Sequence, residues 1–169
     1  MTRTPLAVTY LGSNDFVGYD FHEPSVEEAR SHAKTHGLGD RVKFVATSAK
    51  DIKEADFDLV TSFDCLHDMG DPRGCAGHMR QILKSDGTWM IVEPIAGDRP
   101  EENMNPVGRL YYNASTMICV PTSLDQEVAE GLGAQAGEAK LTEVIRAGGF
   151  THVRRATAGP FNMVLEARR

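Results

Sequence analysis

The sequence lacks the features that mark membrane, secreted and zinc-finger proteins. No apolar run approaches the roughly 18 residues that span a bilayer, and residues 1–5 lack the apolar core of a secretory signal. The three cysteines, Cys65, Cys75 and Cys119, are odd in number and include no CxxC pair. We therefore expect reduced thiols in a cytoplasmic protein, with no membrane partner and no metal site.

The sequence also has no concentration of positive charge. It holds 18 Lys and Arg against 24 Asp and Glu, which gives a net charge of −6. Binding to a phosphate backbone needs a basic face, so a nucleic-acid partner is not expected. The 169 residues are 41% hydrophobic, enough for one domain with a core. We treat residues 1–169 as a single domain.

What the chain does have is an alternation of short apolar strands with helical patterns. The predicted strands are residues 16–20, 41–47, 57–63 and 88–93. A first helix begins near Pro24, where Ser25 and Glu28 have capping-box spacing, and another begins at Asp71. This rhythm predicts an α/β fold with a mostly parallel sheet. Two closing strands, within 151–156 and 161–167, predict an antiparallel pair at its end.

The alternation stops over residues 94–122, which contain several prolines and two adjacent tyrosines. A connection of this length inside a compact domain is typical of a lid, a binding loop or a partly helical insertion. Ser123 and Gln126 again have capping-box spacing, so regular helix is predicted to resume at Ser123.

Four motifs in order carry a family resemblance: FVGYDFHEPS at 16–25, FDLV at 57–60, FDCLHDM at 63–69 and DGTWMIVEP at 86–94. Together they resemble class I S-adenosylmethionine-dependent methyltransferases. They are most similar to the small-molecule enzymes that carry a winged-helix domain before the catalytic domain. The resemblance covers roughly residues 16–169 and implies a Rossmann-like methyltransferase sheet.

The resemblance implies a cofactor site at the carboxyl ends of the strands, where ligands bind in open α/β sheets. Asp20 ends the first strand, and its carboxylate could accept both hydroxyls of a ribose. Ser48 stands where the family usually has Asp, so its contact with adenine would be uncharged. The implied S-adenosylmethionine residues are Asp20, Phe21, Ser48, Ala49, Phe63 and Asp64.

His67 and Asp68 lie where substrate and cofactor would meet. They could act as a general base and the acid that orients it. The alternative is a polar loop pair with no catalytic role, because adjacent side chains diverge on a helix.

The largest departure from the family lies before Phe16, where its first strand, glycine-rich loop and following helix are missing, so we interpret the domain as N-terminally truncated. Residues 6–10 could form a strand, but only about four residues separate them from Phe16. A parallel crossover needs about a dozen residues or more, so such a strand must pair antiparallel. Either this strand or one from a second copy, in a homodimer, should fill the gap.

Two hypotheses about function therefore remain. In the first, the chain transfers a methyl group from S-adenosylmethionine to a small-molecule acceptor. In the second, it is a non-enzymatic protein that keeps the fold but has little or no affinity for the cofactor. The missing glycine-rich loop favours the second hypothesis, because that loop closely approaches the cofactor in the family.

Overall fold

A computed structural model describes residues 7–11, 15–39 and 41–169, with side chains from residue 16 onward. Seven strands form one sheet in the order β3-β2-β1-β4-β5-β7-β6. The strands are β1 (Ala7–Leu11), β2 (Asp15–Asp20), β3 (Val42–Ala46), β4 (Phe57–Phe63), β5 (Leu83–Pro94), β6 (His152–Ala158) and β7 (Asn162–Arg168).

The sheet is mixed, and its strand directions agree with the expected methyltransferase sheet. Strands β2, β3, β4, β5 and β6 run in one direction, whereas β1 and β7 run against them. The predicted antiparallel pair at the end of the chain is confirmed as β6 and β7. Pairings are nevertheless mostly antiparallel, because β1 and β7 each lie between two strands of opposite direction.

Strand β1 occupies the middle of the sheet and pairs antiparallel with both neighbours. Thr9 lies opposite Val17 of β2 and opposite Val60 of β4. Only residues 12–14 join β1 to β2, too few for a parallel crossover. The prediction that the segment near residues 6–10 fills the gap is confirmed, one residue further along. A strand from a second copy is not needed at this position.

The helices are α1 (Glu23–Thr35), α2 (Pro72–Ile82), α3 (Pro106–Ala114), α4 (Val120–Leu124) and α5 (Gly137–Ala147). A π-helical segment, Ser115–Cys119, joins α3 to α4. The start of α2 is as predicted, since the Asp71 side chain accepts a hydrogen bond from the Gly74 amide at 2.8 Å. Among the described residues, no helix is long and apolar enough to cross a membrane.

Two predicted capping boxes do not form. Helix α1 begins at Glu23, so Ser25 already lies inside it, and the Ser25 hydroxyl contacts His22 Nδ1 at 2.9 Å. Ser123 lies near the end of α4 rather than at the start of a helix. The segment 94–122 is largely helical, which leaves its role as a lid a prediction.

The core is centred on the middle strands of the sheet. Trp89 and Ile91 of β5 are fully buried, whereas Met90 and Val92 on the opposite face are only partly covered. The Trp89 ring packs 5.5 Å from the Phe150 ring, between centroids, and its Nε1 donates to the Ser62 hydroxyl at 3.0 Å. Helices α2 and α5 pack against each other. This core fixes the ends of β4 and β5, from which the site is built.

Candidate active site

A cavity of about 300 Å³ lies at the carboxyl ends of β2, β3 and β4. Its walls come from the segments that follow these strands, from the start of α2, and from the end of α4 with the turn after it. Five of the eight predicted site residues line it: Asp20, Phe21, Ser48, Ala49 and Asp68. These five residues come from three separate parts of the chain, and they meet because ligands in open α/β sheets bind at the carboxyl ends of the strands.

Asp20 is the buried acid of this cavity. The residue is only 6% exposed. Its Oδ1 accepts a hydrogen bond from the His22 amide at 2.8 Å. The carboxylate has a second oxygen, so it can hold a ligand hydroxyl while keeping this backbone contact. Phe21 beside it is 59% exposed and offers an open aromatic surface.

The Ser48 hydroxyl makes a contact that its position in the sequence did not predict. Its hydroxyl donates to Oδ2 of Asp51 at 2.6 Å, and Asp51 also lines the cavity. The negative charge that the family usually places at position 48 is thus present three residues later. Lys50 forms an ion pair with Asp71 at 3.0 Å on the same wall.

His67 is buried behind Asp68, between two carboxylates. Its Nδ1 pairs with Oε2 of Glu93, and its Nε2 lies 3.2 Å from Oδ1 of Asp68. The other oxygen of Glu93, Oε1, accepts a hydrogen bond from the Leu66 amide at 2.8 Å. Glu93 ends a neighbouring strand, which is why its side chain reaches this point. Asp68 lines the cavity and His67 does not.

The electrostatics of this cluster favour a charged imidazolium. Burial works to lower the pKa of His67, but the charge of Glu93 and the contacts with Asp68 and Cys119 outweigh it and raise the pKa to about 12. Oδ1 of Asp68 is buried and faces the charged ring of His67, 3.2 Å from Nε2. Of the two residues only Asp68 lines the cavity, so Asp68 is the one that a ligand there can contact.

We expect the raised pKa of His67 to make stability pH-dependent. The folded state keeps the ring proton up to about pH 12, while the unfolded chain releases it near pH 6.5. The stabilisation is complete below pH 6.5 and is lost as pH rises, by up to about 1.4 kcal/mol per pH unit. Urea unfolding between pH 7 and 8.5 should show the difference between wild type and His67→Asn shrinking. A constant difference would contradict the ion-pair assignment.

Two predicted cofactor residues lie outside the cavity wall. Asp64 has a left-handed backbone (φ 46°) and accepts a hydrogen bond from Asn162 Nδ2 at 2.8 Å. Burial and the charge of Glu93 raise its pKa. Phe63 is 38% exposed. Neither lines the cavity, so their contact with the methionine part of a cofactor stays a prediction.

The end of α4 and the turn after it fix the backbone of the segment that carries Asp68. Ser123 is fully buried, and its hydroxyl donates to the Met69 carbonyl at 2.7 Å. Gln126 donates to the Asp68 carbonyl at 2.8 Å and accepts from the Gly70 amide at 3.1 Å. The Ser123 and Gln126 side chains were predicted to cap a helix; they instead hold the backbone around Asp68, the candidate catalytic residue.

One group of potential metal ligands occurs in the part of the chain with described side chains: His67, Asp68 and Cys119, whose ligand atoms lie within 4.8 Å of one another. The raised pKa of His67 works against metal binding, since a metal must displace the ring proton. His32 of α1 and His36, which caps the C-terminal end of that helix, are four residues apart, exposed and outside any such group. The absence of a metal site stays a prediction.

The family model and the curated relative that match this chain are both methyltransferases. The sequence model of a methyltransferase-domain family matches residues 5–149. The uncharacterized methyltransferase YcgJ of Bacillus subtilis (strain 168) is 30% identical over 98 residues, covering 56% of this chain and 38% of YcgJ. The sequence match thus spans well under half of that relative's length.

Solved structures share the fold. The mitomycin 7-O-methyltransferase MmcR superposes with a TM-score of 0.62 at 21% identity, covering 90% of this chain and 41% of MmcR. The O-methyltransferase NcsB1 from neocarzinostatin biosynthesis, in complex with S-adenosyl-L-homocysteine and 1,4-dihydroxy-2-naphthoic acid, superposes with a TM-score of 0.65 at 21% identity. That superposition covers 90% of this chain and 41% of NcsB1.

Proposed function

Because the chain belongs to the methyltransferase-domain family, we propose that it binds S-adenosylmethionine in the cavity and methylates a small molecule in the cytoplasm. The observation that carries this proposal is the position of Asp20, Ser48 and Asp68 on the wall of one cavity. The net charge of −6 argues against a nucleic-acid acceptor.

The cofactor would lie across the ends of β2 and β3. Asp20 would accept the ribose hydroxyls, and Phe21 would lie beside the adenine. Asp51, held by the Ser48 hydroxyl, would supply the acceptor for the adenine amino group. S-Adenosylmethionine supplies an electrophilic methyl group, and displacement from it gains most from bringing the two reactants together.

Asp68 is proposed to take the proton of the acceptor hydroxyl. It lines the cavity, and because its buried Oδ1 pairs with His67, its other oxygen would take the proton. His67 would act as a positioning residue, since its raised pKa leaves the ring charged and its other nitrogen pairs with Glu93. This exchanges the roles that the sequence suggested for the two residues. A first acceptor to test is 1,4-dihydroxy-2-naphthoic acid, the compound bound to NcsB1.

The second candidate is a protein with this fold and no useful cofactor affinity. The observation that favours it is the antiparallel course of β1, which leaves no strand-to-helix turn between β1 and β2. In such a turn, glycine would let the backbone approach the cofactor closely. Affinity would then depend on the ribose and adenine contacts alone.

Calorimetric titration with S-adenosyl-L-homocysteine separates the two candidates. We expect wild type to bind and Asp20→Asn to lose about 10- to 150-fold in affinity, because a hydrogen bond to a charged group contributes about 1.5–3 kcal/mol. Asn keeps an oxygen for the His22 amide, so folding should be preserved. Asp86→Asn, at an exposed position, is the matched control. Absence of heat from folded wild type at millimolar ligand would overturn the enzyme proposal and support the second candidate.

A further inference from the structure

The wall of the cavity carries far more negative than positive charge. Among the described residues that line it, Lys50 is the one positive side chain, against five carboxylates. The carboxylates are those of Asp20, Asp51, Asp68, Asp71 and Glu127. Lys50 is already engaged, since its Nζ lies 3.0 Å from Asp71 Oδ2 and 4.0 Å from Glu127 Oε2. An anionic ligand would therefore meet repulsion on this wall without a free counter-charge.

Two further carboxylates lie close to Asp68, the residue proposed to deprotonate the acceptor. Glu93 lies at the end of β5, and Asp64 directly follows β4. Burial is the largest cause that raises the pKa of Asp64; the charges of Glu93 and Asp68 raise it further, whereas the charge of His67 works against them. Asp64 is thus within electrostatic range of the three other groups. The positive ring of His67 is outnumbered by three carboxylates, so the reaction site keeps a negative charge.

The backbone and one neighbouring side chain hold Asp64 in place. Its φ of 46° lies in the left-handed region, and its amide donates to the Val92 carbonyl at 2.8 Å. Its Oδ1 accepts a hydrogen bond from Asn162 Nδ2 at 2.8 Å. The charge of Asp64 also acts on Tyr111, whose pKa is raised first by burial and then by this carboxylate. A carboxylate anchored in this way exerts a fixed electrostatic influence on a ligand beside it.

We propose that the protein selects neutral or cationic acceptors over anionic ones, and that Asp64 is a specificity-determining residue for this selection. The inference rests on the proposed function, because it concerns the acceptor that Asp68 would deprotonate. A bound S-adenosylmethionine, with a single net positive charge, offsets only part of the carboxylate excess. A carboxylate on the acceptor would be repelled by Asp64, and repulsion of the wrong ligand is a common source of specificity. The acceptor class is therefore hydroxyl compounds without an acidic substituent.

Two acceptors of nearly the same shape test this selection: 1,4-dihydroxy-2-naphthoic acid and its carboxamide, which has no charge. The measurement is the ratio of kcat/KM for the carboxamide to kcat/KM for the acid, near pH 8 and at low ionic strength. We expect a ratio of at least about tenfold in wild type and a ratio about three- to tenfold smaller in Asp64→Asn, because like charges repel strongly in a partly buried site. Added salt should lower the wild-type ratio through screening.

The comparison between variants removes effects that both acceptors share. Damage to the fold or to cofactor binding would lower both kcat/KM values and leave their ratio unchanged. Asn suits position 64, because it keeps an oxygen for Asn162 and adopts the left-handed backbone more readily than most residues. Asp86→Asn is the matched control: it removes the same charge at an exposed position near the start of β5, far from the carboxyl ends of the strands. Its ratio should equal that of wild type.

Failure of this inference can be told apart from failure of the proposed function. A wild-type preference for the acid, or a ratio that Asp64→Asn leaves as it is in wild type, would overturn the selection while methylation itself stands. If neither compound is methylated, calorimetric titration of both into protein saturated with S-adenosyl-L-homocysteine gives the same ratio as affinities. No binding of either compound would then overturn the selection, and a protein that does not bind S-adenosyl-L-homocysteine would overturn the proposed function and the selection with it.

Discussion

The variant Glu93→Gln is expected to lower the free energy of unfolding by about 3–5 kcal/mol, because it leaves a buried imidazolium without its closest counter-charge. Glu93 is only 1% exposed and His67 4% exposed, so water cannot replace the lost partner. The amide oxygen of Gln can still accept from the Leu66 amide. The loss therefore reports on charge rather than on backbone hydrogen bonding.

The same substitution on the surface of the sheet is the control. Glu166 of β7 pairs with Arg154 at 2.6 Å, but the Arg154 side chain is 63% exposed. Glu166→Gln should cost no more than about 1 kcal/mol, as for other exposed ion pairs. Urea unfolding of both variants gives the comparison. Equal losses from the two variants would show that Glu93 and His67 do not form a buried ion pair.

Asp68→Asn is expected to reduce kcat about 10²- to 10⁴-fold, the usual contribution of a positioned proton acceptor. The amide keeps the shape of the carboxylate but cannot take up the hydroxyl proton. The affinity for S-adenosyl-L-homocysteine should change little, because the proposed ribose acceptor is Asp20. Steady-state methylation with S-adenosylmethionine and the proposed acceptor measures the effect.

The pH profile identifies which residue takes the proton. If the neutral ring of His67 were the acceptor, wild-type kcat would rise about tenfold per pH unit between 6 and 9, since a pKa of about 12 leaves so little neutral ring. With Asp68 in that role, kcat should stay level once the acceptor's own ionisation is taken into account. A kcat in Asp68→Asn close to that of wild type would exclude Asp68.

The carboxyl ends of the strands could be predicted from sequence because most of the strands are short apolar runs that polar residues follow. That pattern located Asp20, and the family resemblance added Ser48 and Asp68 in the segments after the next two strands; a parallel sheet brings such ends to one edge. The length of the connection before Phe16 was equally informative. It allowed only an antiparallel β1, as the structure has it.

The buried partners of the site could not be predicted in the same way. Glu93 lies 26 residues from His67, and only the adjacency of β4 and β5 brings them together. The only sequence feature that pointed to Glu93 was its position as an acid at the end of an apolar run. Ser123 and Gln126 have the spacing of a local cap, but contacts with a distant backbone compete with that local pattern and prevail. Spacing alone does not distinguish the two outcomes.

The central position of β1 has a consequence for aggregation. Within the sheet, β1 joins the β3-β2 pair to the other four strands, β4, β5, β7 and β6. If β1 detaches, β2 and β4 each gain an unpaired row of amides and carbonyls. Unpaired rows of this kind recruit strands from other molecules, which is the route to fibrils. Anchoring of the first strand is thus also the chain's protection against self-templated polymerisation.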